Sequence, residues 1–281
     1  MTLVLLDLEK ASVIAFLVGS MGAMGLALTP GAIFAPLRNV RFVLVALALN
    51  FLLAPALAWL ITVVLPLKSG HTAGLMLLGG AAGAPFLPKL IERARGNLAE
   101  AAALMCLLTA GTILFLPFAL PVMLSGLSVD PLKIARPLLL LIVTPMVAGI
   151  ALRSRAPRVA ARLSPILGFV GNISLLLLFI LLIALNAGAL VSVAGSGAIL
   201  AALIFFSALF VAGWITGGRQ RASLSLAASA RNFGAALAPA ENCFNDPDVT
   251  VMIVVGAIVC LVVSFAAAAW VRQTESGISI A

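Results

Sequence analysis

Arg231 lies within a stretch unusually polar for a membrane helix, RASLSLAASARNFGAALAPAENCF, with Ser229 and Asn232 beside it and Gly234 three positions on. A charge deep in a membrane segment costs at least about 2.5–3.5 kcal/mol unless water, a partner or a bound anion reaches it. A guanidinium flanked by a hydroxyl and an amide is chemistry suited to holding an anion. A second reading starts the membrane segment later, so that Arg231 snorkels to the surface with Arg219 and Arg221. The other candidate cation is Lys89, in HTAGLMLLGGAAGAPFLPKLIERARGN, behind Gly83, Ala84 and Pro85. Pro85 and Pro88 lack backbone donors and clash with the preceding turn, so a helix should break there. The freed amides and carbonyls must then line a cavity or be buried in protein. Lys89 reads either as an ordinary loop cation or as a site residue reinforced by a half-helix N-terminus facing an anion. The candidate substrate-binding set is therefore Gly83, Ala84, Pro85, Lys89, Ser229, Arg231, Asn232 and Gly234.

Catalysis finds little to work with. The nine acidic residues sit at or near the ends of apolar runs, and the single histidine, His71, stands at a loop edge. No pair of embedded carboxylates and no histidine cluster is available for hydrolysis or metal binding. Cys106, Cys243 and Cys260 have no metal-ligand spacing, and no phosphate-binding loop is present to power transport. Neither an enzymatic activity nor a cofactor or metal is expected. Asn50, Asn172 and Asn186 suit hydrogen bonds between helices. Met21, Gly22, Met24 and Gly25 suit close helix packing.

The elements that position these residues follow from composition. Of 281 residues 63% are hydrophobic and 9% charged, and the mean hydropathy is +1.25. A soluble domain is about a quarter charged, so this is an integral membrane chain with the lipid bilayer as its partner. The net charge of +8 is topological rather than a sign of nucleic-acid binding. Nine apolar runs are candidate spans: about 11–29, 42–65, 71–91, 97–125, 135–152, 163–186, 196–217, 222–242 and 249–271. With the N-terminus outside, cytoplasmic segments hold twelve of the seventeen basic residues, among them Arg153, Arg155, Arg158 and Arg162. The outer segments hold Lys10, Lys68, Lys133 and Arg136, together with Asp7, Glu9, Asp130, Glu241, Asp246 and Asp248. That alternation places the chain as multi-pass in a cell (inner or plasma) membrane, N-terminus outside and C-terminus cytoplasmic.

Two runs are interrupted: the third, by Gly79, Gly80, Gly83, Pro85 and Pro88, and the eighth, by its polar residues, with Pro239 expected to end it. Interrupted helices at matching places in two halves point to a secondary transporter's binding site. One run before the last in each half is broken, and the two point in opposite directions, as an inverted repeat requires. The expected organisation is a single all-α membrane domain over 1–281, about nine transmembrane helices, with a first repeat of four helices over 11–125 and a second of five over 132–271. One N-terminal helix of a five-plus-five plan is lacking.

The pieces MGAMGLALTPG (Met21–Gly31), GG followed by ARGN (Gly79–Gly80 and Ala94–Asn97) and SARNFGAALA (Ser229–Ala238), in that order and spacing, resemble the bile acid:sodium symporter family over nearly the whole chain. The resemblance implies two inverted five-helix repeats, a panel domain and a core domain. It also implies two broken helices that cross in the core, where organic anions and sodium bind. The likeness departs at the sodium ligands. Family members carry Ser-Asn after the first GG pair, where this chain has Gly83, Ala84 and Pro85. They carry hydroxyls on the next helix, where Ala101 and Met105 stand, and a Glu and a Gln at the positions of Ala227 and Arg231. Hard cations need several oxygen ligands. Arg231, with Lys89, is therefore expected to supply the positive charge that sodium supplies elsewhere, and a small organic anion is the expected substrate. An arsenite-exporter-like carrier is the alternative within this architecture, although its relatives carry a Cys in the first broken helix. A channel or a non-transporting membrane scaffold is the alternative outside it.

Overall fold

A computed structural model describes residues 2–27, 30–123, 132, 136, 139–185, 188, 193 and 195–278. Asp130, Lys133 and Asn186 lie outside the described residues. The described chain is helical, in the order α1 Thr2–Ala27, α2 Pro30–Leu37, α3 Val40–Val64, α4 Ser69–Gly80, α5 Leu87–Arg93 and α6 Leu98–Met123. Then come α7 Thr144–Arg155, α8 Pro157–Leu185, α9 Ala198–Thr216, α10 Arg221–Ser229, α11 Phe233–Cys243 and α12 Pro247–Ile278.

Six of the apolar runs are helices long and apolar enough to cross a membrane: Leu5–Ala27 within α1, then α3, α6, α8, α9 and Pro247–Thr274 within α12. Among the described residues the other three expected spans are represented by shorter helices. α7 has 12 residues behind a π turn, Leu139–Val143, and the third and eighth runs are divided into α4 and α5, and α10 and α11. At 1.5 Å per residue none of α4, α5, α10 and α11 alone spans a hydrocarbon core of about 30 Å.

Several boundaries differ from expectation for local reasons. α1 starts at Thr2, so Asp7, Glu9 and Lys10 lie on the helix rather than ahead of it. α8 starts at Pro157, a residue suited to a first helical turn, and so carries Arg158 and Arg162. In α3 a π turn, Leu49–Leu53, precedes Pro55, and the buried Asn50 amide donates to the Ala46 carbonyl at 2.9 Å. A wider turn takes up the hydrogen bond that proline cannot make. Pro239, expected as a terminator, sits inside α11.

Two groups of helices emerge from the packing. α1 packs chiefly on α8 and α7, through backbone-to-backbone approach at small residues. A Cβ on Gly149 would stand 2.8 Å from the Gly22 carbonyl oxygen, and one on Gly25 would collide with the Met146 carbonyl. The glycines around Met21 and Met24 therefore serve close packing. In the second group α4 packs on α12, and α9 packs on α10 and α12, around buried Phe205, Phe206, Leu75 and Met252.

Candidate functional site

The first break is set by glycine. α4 stops at Gly80, and the chain runs through Ala81–Phe86 before α5 begins at Leu87. Pro85 thus lies in the turn ahead of the second half-helix and Pro88 in its opening turn, so neither ends the first. Gly83 has φ +83°, and a Cβ there would lie 2.5 Å from both the Thr109 nitrogen and Oγ1. Only glycine combines that backbone with that approach.

The second break, Ala230–Asn232, lies against the first. The Asn232 backbone N–H donates to the Ala81 carbonyl at 3.0 Å, and the Phe233 ring stacks on Phe86 with centroids 5.6 Å apart. Asn232 Oδ1 caps α11 by accepting from the Ala235 N–H at 3.1 Å, the usual work of an Asn N-cap. Helix α6 closes the first break from its other side. Thr112 Oγ1 accepts from the Ala82 N–H at 2.9 Å and donates to the Ala82 carbonyl at 3.0 Å. Thr109 Oγ1 donates to the Gly83 carbonyl at 3.3 Å. The carbonyls of Ala81, Ala82 and Gly83 are therefore all engaged by protein donors.

The side-chain polar atoms left without a partner at the second break are donors. Arg231 is 0% exposed, so it does not snorkel. Its Nη2 donates to the Ala228 carbonyl at 2.6 Å, its guanidinium lies 5.7 Å from the Phe205 ring centroid, and Nε and Nη1 have no hydrogen-bond partner. Asn232 Nδ2 is likewise buried without one. The Ser229 hydroxyl turns back to the Leu226 carbonyl, and the Ser229 carbonyl faces Cys260 Sγ at 3.4 Å.

Between the two helix groups lies a cleft of about 490 Å³, walled by α1, α5, α6 and α8. Its apolar wall is Met24, Pro85, Ala102 and Met105, and its polar groups are Ser20, Ser164, Lys89 and Asn172. Lys89 Nζ donates to Asn172 Oδ1 at 2.7 Å, joining α5 to α8, and among the described residues it forms no ion pair with a carboxylate. Farther along α1 and α8, beside Phe16, Leu178 and Phe233, the remaining space is a pocket of about 10 Å³, room for no more than a water.

The structure thus divides the candidate residues. Pro85 and Lys89 line the cleft. Gly83, Ala84, Arg231 and Asn232 are buried in the two breaks and Ser229 at the end of α10, and none of them lines the cleft. Gly234 borders the small pocket and abuts Leu17. Asn172 was legible only as an interhelical hydrogen-bonder, and Ser20 and Ser164 gave no signal, because their role comes from helix pairing. Thr109 and Thr112 were also missed. The family resemblance directs attention to Ala101 and Met105, whereas the hydroxyls that reach the first break come one and two turns later.

Among known protein families, the Sodium Bile acid symporter family matches the chain over residues 14–193, a stretch that includes the first break, α6 and the Lys89–Asn172 cleft. No curated protein matches the chain.

Proposed function

The chain belongs to the sodium bile acid symporter family, and from that membership we propose that this multi-pass membrane protein is a secondary transporter. Its substrate is a small amphipathic organic anion, carried by alternating access without sodium coupling. The observation that carries the reading is the cleft between the two helix groups, where Lys89 and Asn172 face an apolar wall of Met24, Pro85, Ala102 and Met105. A carboxylate or sulfonate takes the place of Asn172 Oδ1 on the Lys89 ammonium, and the apolar body rests on Met24, Ala102 and Met105. The buried Arg231 adds long-range positive potential.

Two further features support a sodium-free carrier. The carbonyls of Ala81, Ala82 and Gly83 in the first break are already hydrogen-bonded, and the unpartnered side-chain atoms at the second break are Arg231 and Asn232 donors, which repel or ignore a cation. Nine spans in two inverted repeats, with each broken helix counted once, accommodate the six unbroken spans and α7. Under the positive-inside rule the cleft opens to the cytoplasm. The Phe86–Phe233 stack then closes the cleft's inner end, and rocking of the α1, α7 and α8 group against the rest exchanges access.

The test is uptake of amphipathic monoanions into proteoliposomes, with matched sodium and potassium gradients. Saturable uptake of equal rate in both salts is expected. Uptake that requires sodium would overturn the uncoupled reading, and absence of uptake for a broad panel, with protein that remains folded, would favour a scaffold.

A further inference from the structure

The turn between α7 and α8 holds the densest charge outside the cleft. Arg153, Arg155, Arg158 and Arg162 fall within ten residues, and among the described residues none of them forms an ion pair. The chain has no Asp or Glu between Asp130 and Glu241, so α7, α8 and α9 supply no counter-charge. Arg153 Nη1 donates to the Pro157 carbonyl at 3.5 Å, while Arg158 and Arg162 are exposed.

A cytoplasmic bias explains where arginines collect and a membrane span explains exposed apolar residues on α8, but neither requires the two to share one face. Arg158 and Arg162 are one turn apart, and Ile166, Phe169, Ile173 and Leu176 continue at intervals of three and four. At 3.6 residues per turn these six positions fall within about 80° of the helix circumference. The four apolar members are between 49% and 66% exposed. One face of α8 therefore carries two guanidinium groups and, directly beyond them, an uncovered apolar track. From Ile166 to Leu176 the track runs about 15 Å, half of a hydrocarbon core of about 30 Å.

We propose that this face of α8 binds an anionic phospholipid, with the phosphate held by Arg158 and Arg162 and an acyl chain lying along Ile166, Phe169, Ile173 and Leu176. Guanidinium groups match phosphate oxygens in a forked geometry, and the positive end of the α8 dipole lies at the same place. The apolar track, one leaflet deep, selects a lipid over a free phosphate. The site is on the outside of the α1, α7 and α8 group and does not depend on what the cleft carries.

Native mass spectrometry of the full chain, released from neutral detergent after incubation with lipid, tests this. Phosphatidylglycerol and phosphatidylcholine of identical acyl chains are compared, with glycerol 3-phosphate as the soluble headgroup. Wild type should retain phosphatidylglycerol in preference to phosphatidylcholine, and glycerol 3-phosphate should not compete. R158Q/R162Q should lose that retention about thirtyfold, as two interfacial arginines imply, whereas R38Q/R41Q, with the same charge loss, should keep it. Equal loss in both double variants, or competition by glycerol 3-phosphate, overturns the proposal. If R158Q/R162Q does not fold, equal retention of the two lipids by wild type overturns it, and preference for phosphatidylglycerol that 0.5 M salt abolishes upholds it.

Discussion

Gly83→Ala isolates the conformation on which the site depends. The Gly83 backbone is left-handed, with φ +83°, which costs an L-residue about 1–2 kcal/mol. Its new methyl would stand 2.5 Å from the Thr109 nitrogen and 2.9 Å from its Cα, so the clash is with backbone and no rotamer relieves it. Overpacking of that kind adds about 1–3 kcal/mol. The combined loss of about 2–5 kcal/mol is a large part of a net stability of about 5–15 kcal/mol. It corresponds to a fall in Tm on the order of 10 °C. Thermal unfolding of the detergent-purified protein, followed by tryptophan fluorescence, measures it. Gly31→Ala is the control, because no heavy atom lies within 4 Å of its added Cβ. If Gly83→Ala unfolds with wild type while Gly31→Ala is also silent, the first break does not hold Gly83 left-handed against Thr109.

Three other substitutions probe neighbouring parts of the site. Thr112→Val leaves both the Ala82 N–H and carbonyl without their buried partner. It should cost about 1–3 kcal/mol in an unfolding assay, and an unchanged Tm would show that the hydroxyl does not hold the break. Asn172→Asp puts a carboxylate where Lys89 Nζ now meets an amide oxygen. An internal competitor should raise the Kd of an organic anion more than Asn172→Ala does, as isothermal titration would register, and equal effects would remove Lys89 from the site. Arg231→Met removes a buried charge that has two unpartnered N–H groups. Tm should hold or rise, since apolar replacements of buried charges are often tolerated. Anion affinity should fall, and an affinity equal to wild type would reduce Arg231 to packing.

Much of the architecture was written in the pattern of apolar runs, because a bilayer forces the backbone into helices and makes length and hydropathy decisive. The two interruptions were equally plain, but their chemistry was not. Proline suggested breaks at Pro85 and Pro88, yet the first half-helix stops at Gly80, where φ-permissive Gly83 and the Thr109 and Thr112 hydroxyls fix the turn. Pro239 ended nothing, and α11 continues through it to Cys243. Arg231 was conspicuous because charge in an apolar run is rare. Its burial among Ala228, Phe205 and Cys260 depends on three helices meeting, which no local spacing records. Asn172 became part of the cleft for the same reason: Lys89 is 83 positions away in sequence. Residue types identified the polar groups, and helix pairing decided which of them share a chamber.

The central claim is that Lys89 anchors an organic anion in the cleft without sodium. It is tested most directly by thermal stabilisation of wild type and Lys89→Gln with a saturating series of amphipathic monoanions, in sodium chloride and in potassium chloride at matched ionic strength. A ligand bound only to the folded state raises stability by RT ln(1 + [L]/Kd), so the shift gives affinity without any assumption about direction of transport. One curve in both salts is predicted for wild type. Lys89→Gln, at a position whose native side chain is exposed, should keep the Tm of the free protein but bind roughly ten- to a hundredfold more weakly. Stabilisation that appears only in sodium, or an undiminished shift in Lys89→Gln, would contradict the claim.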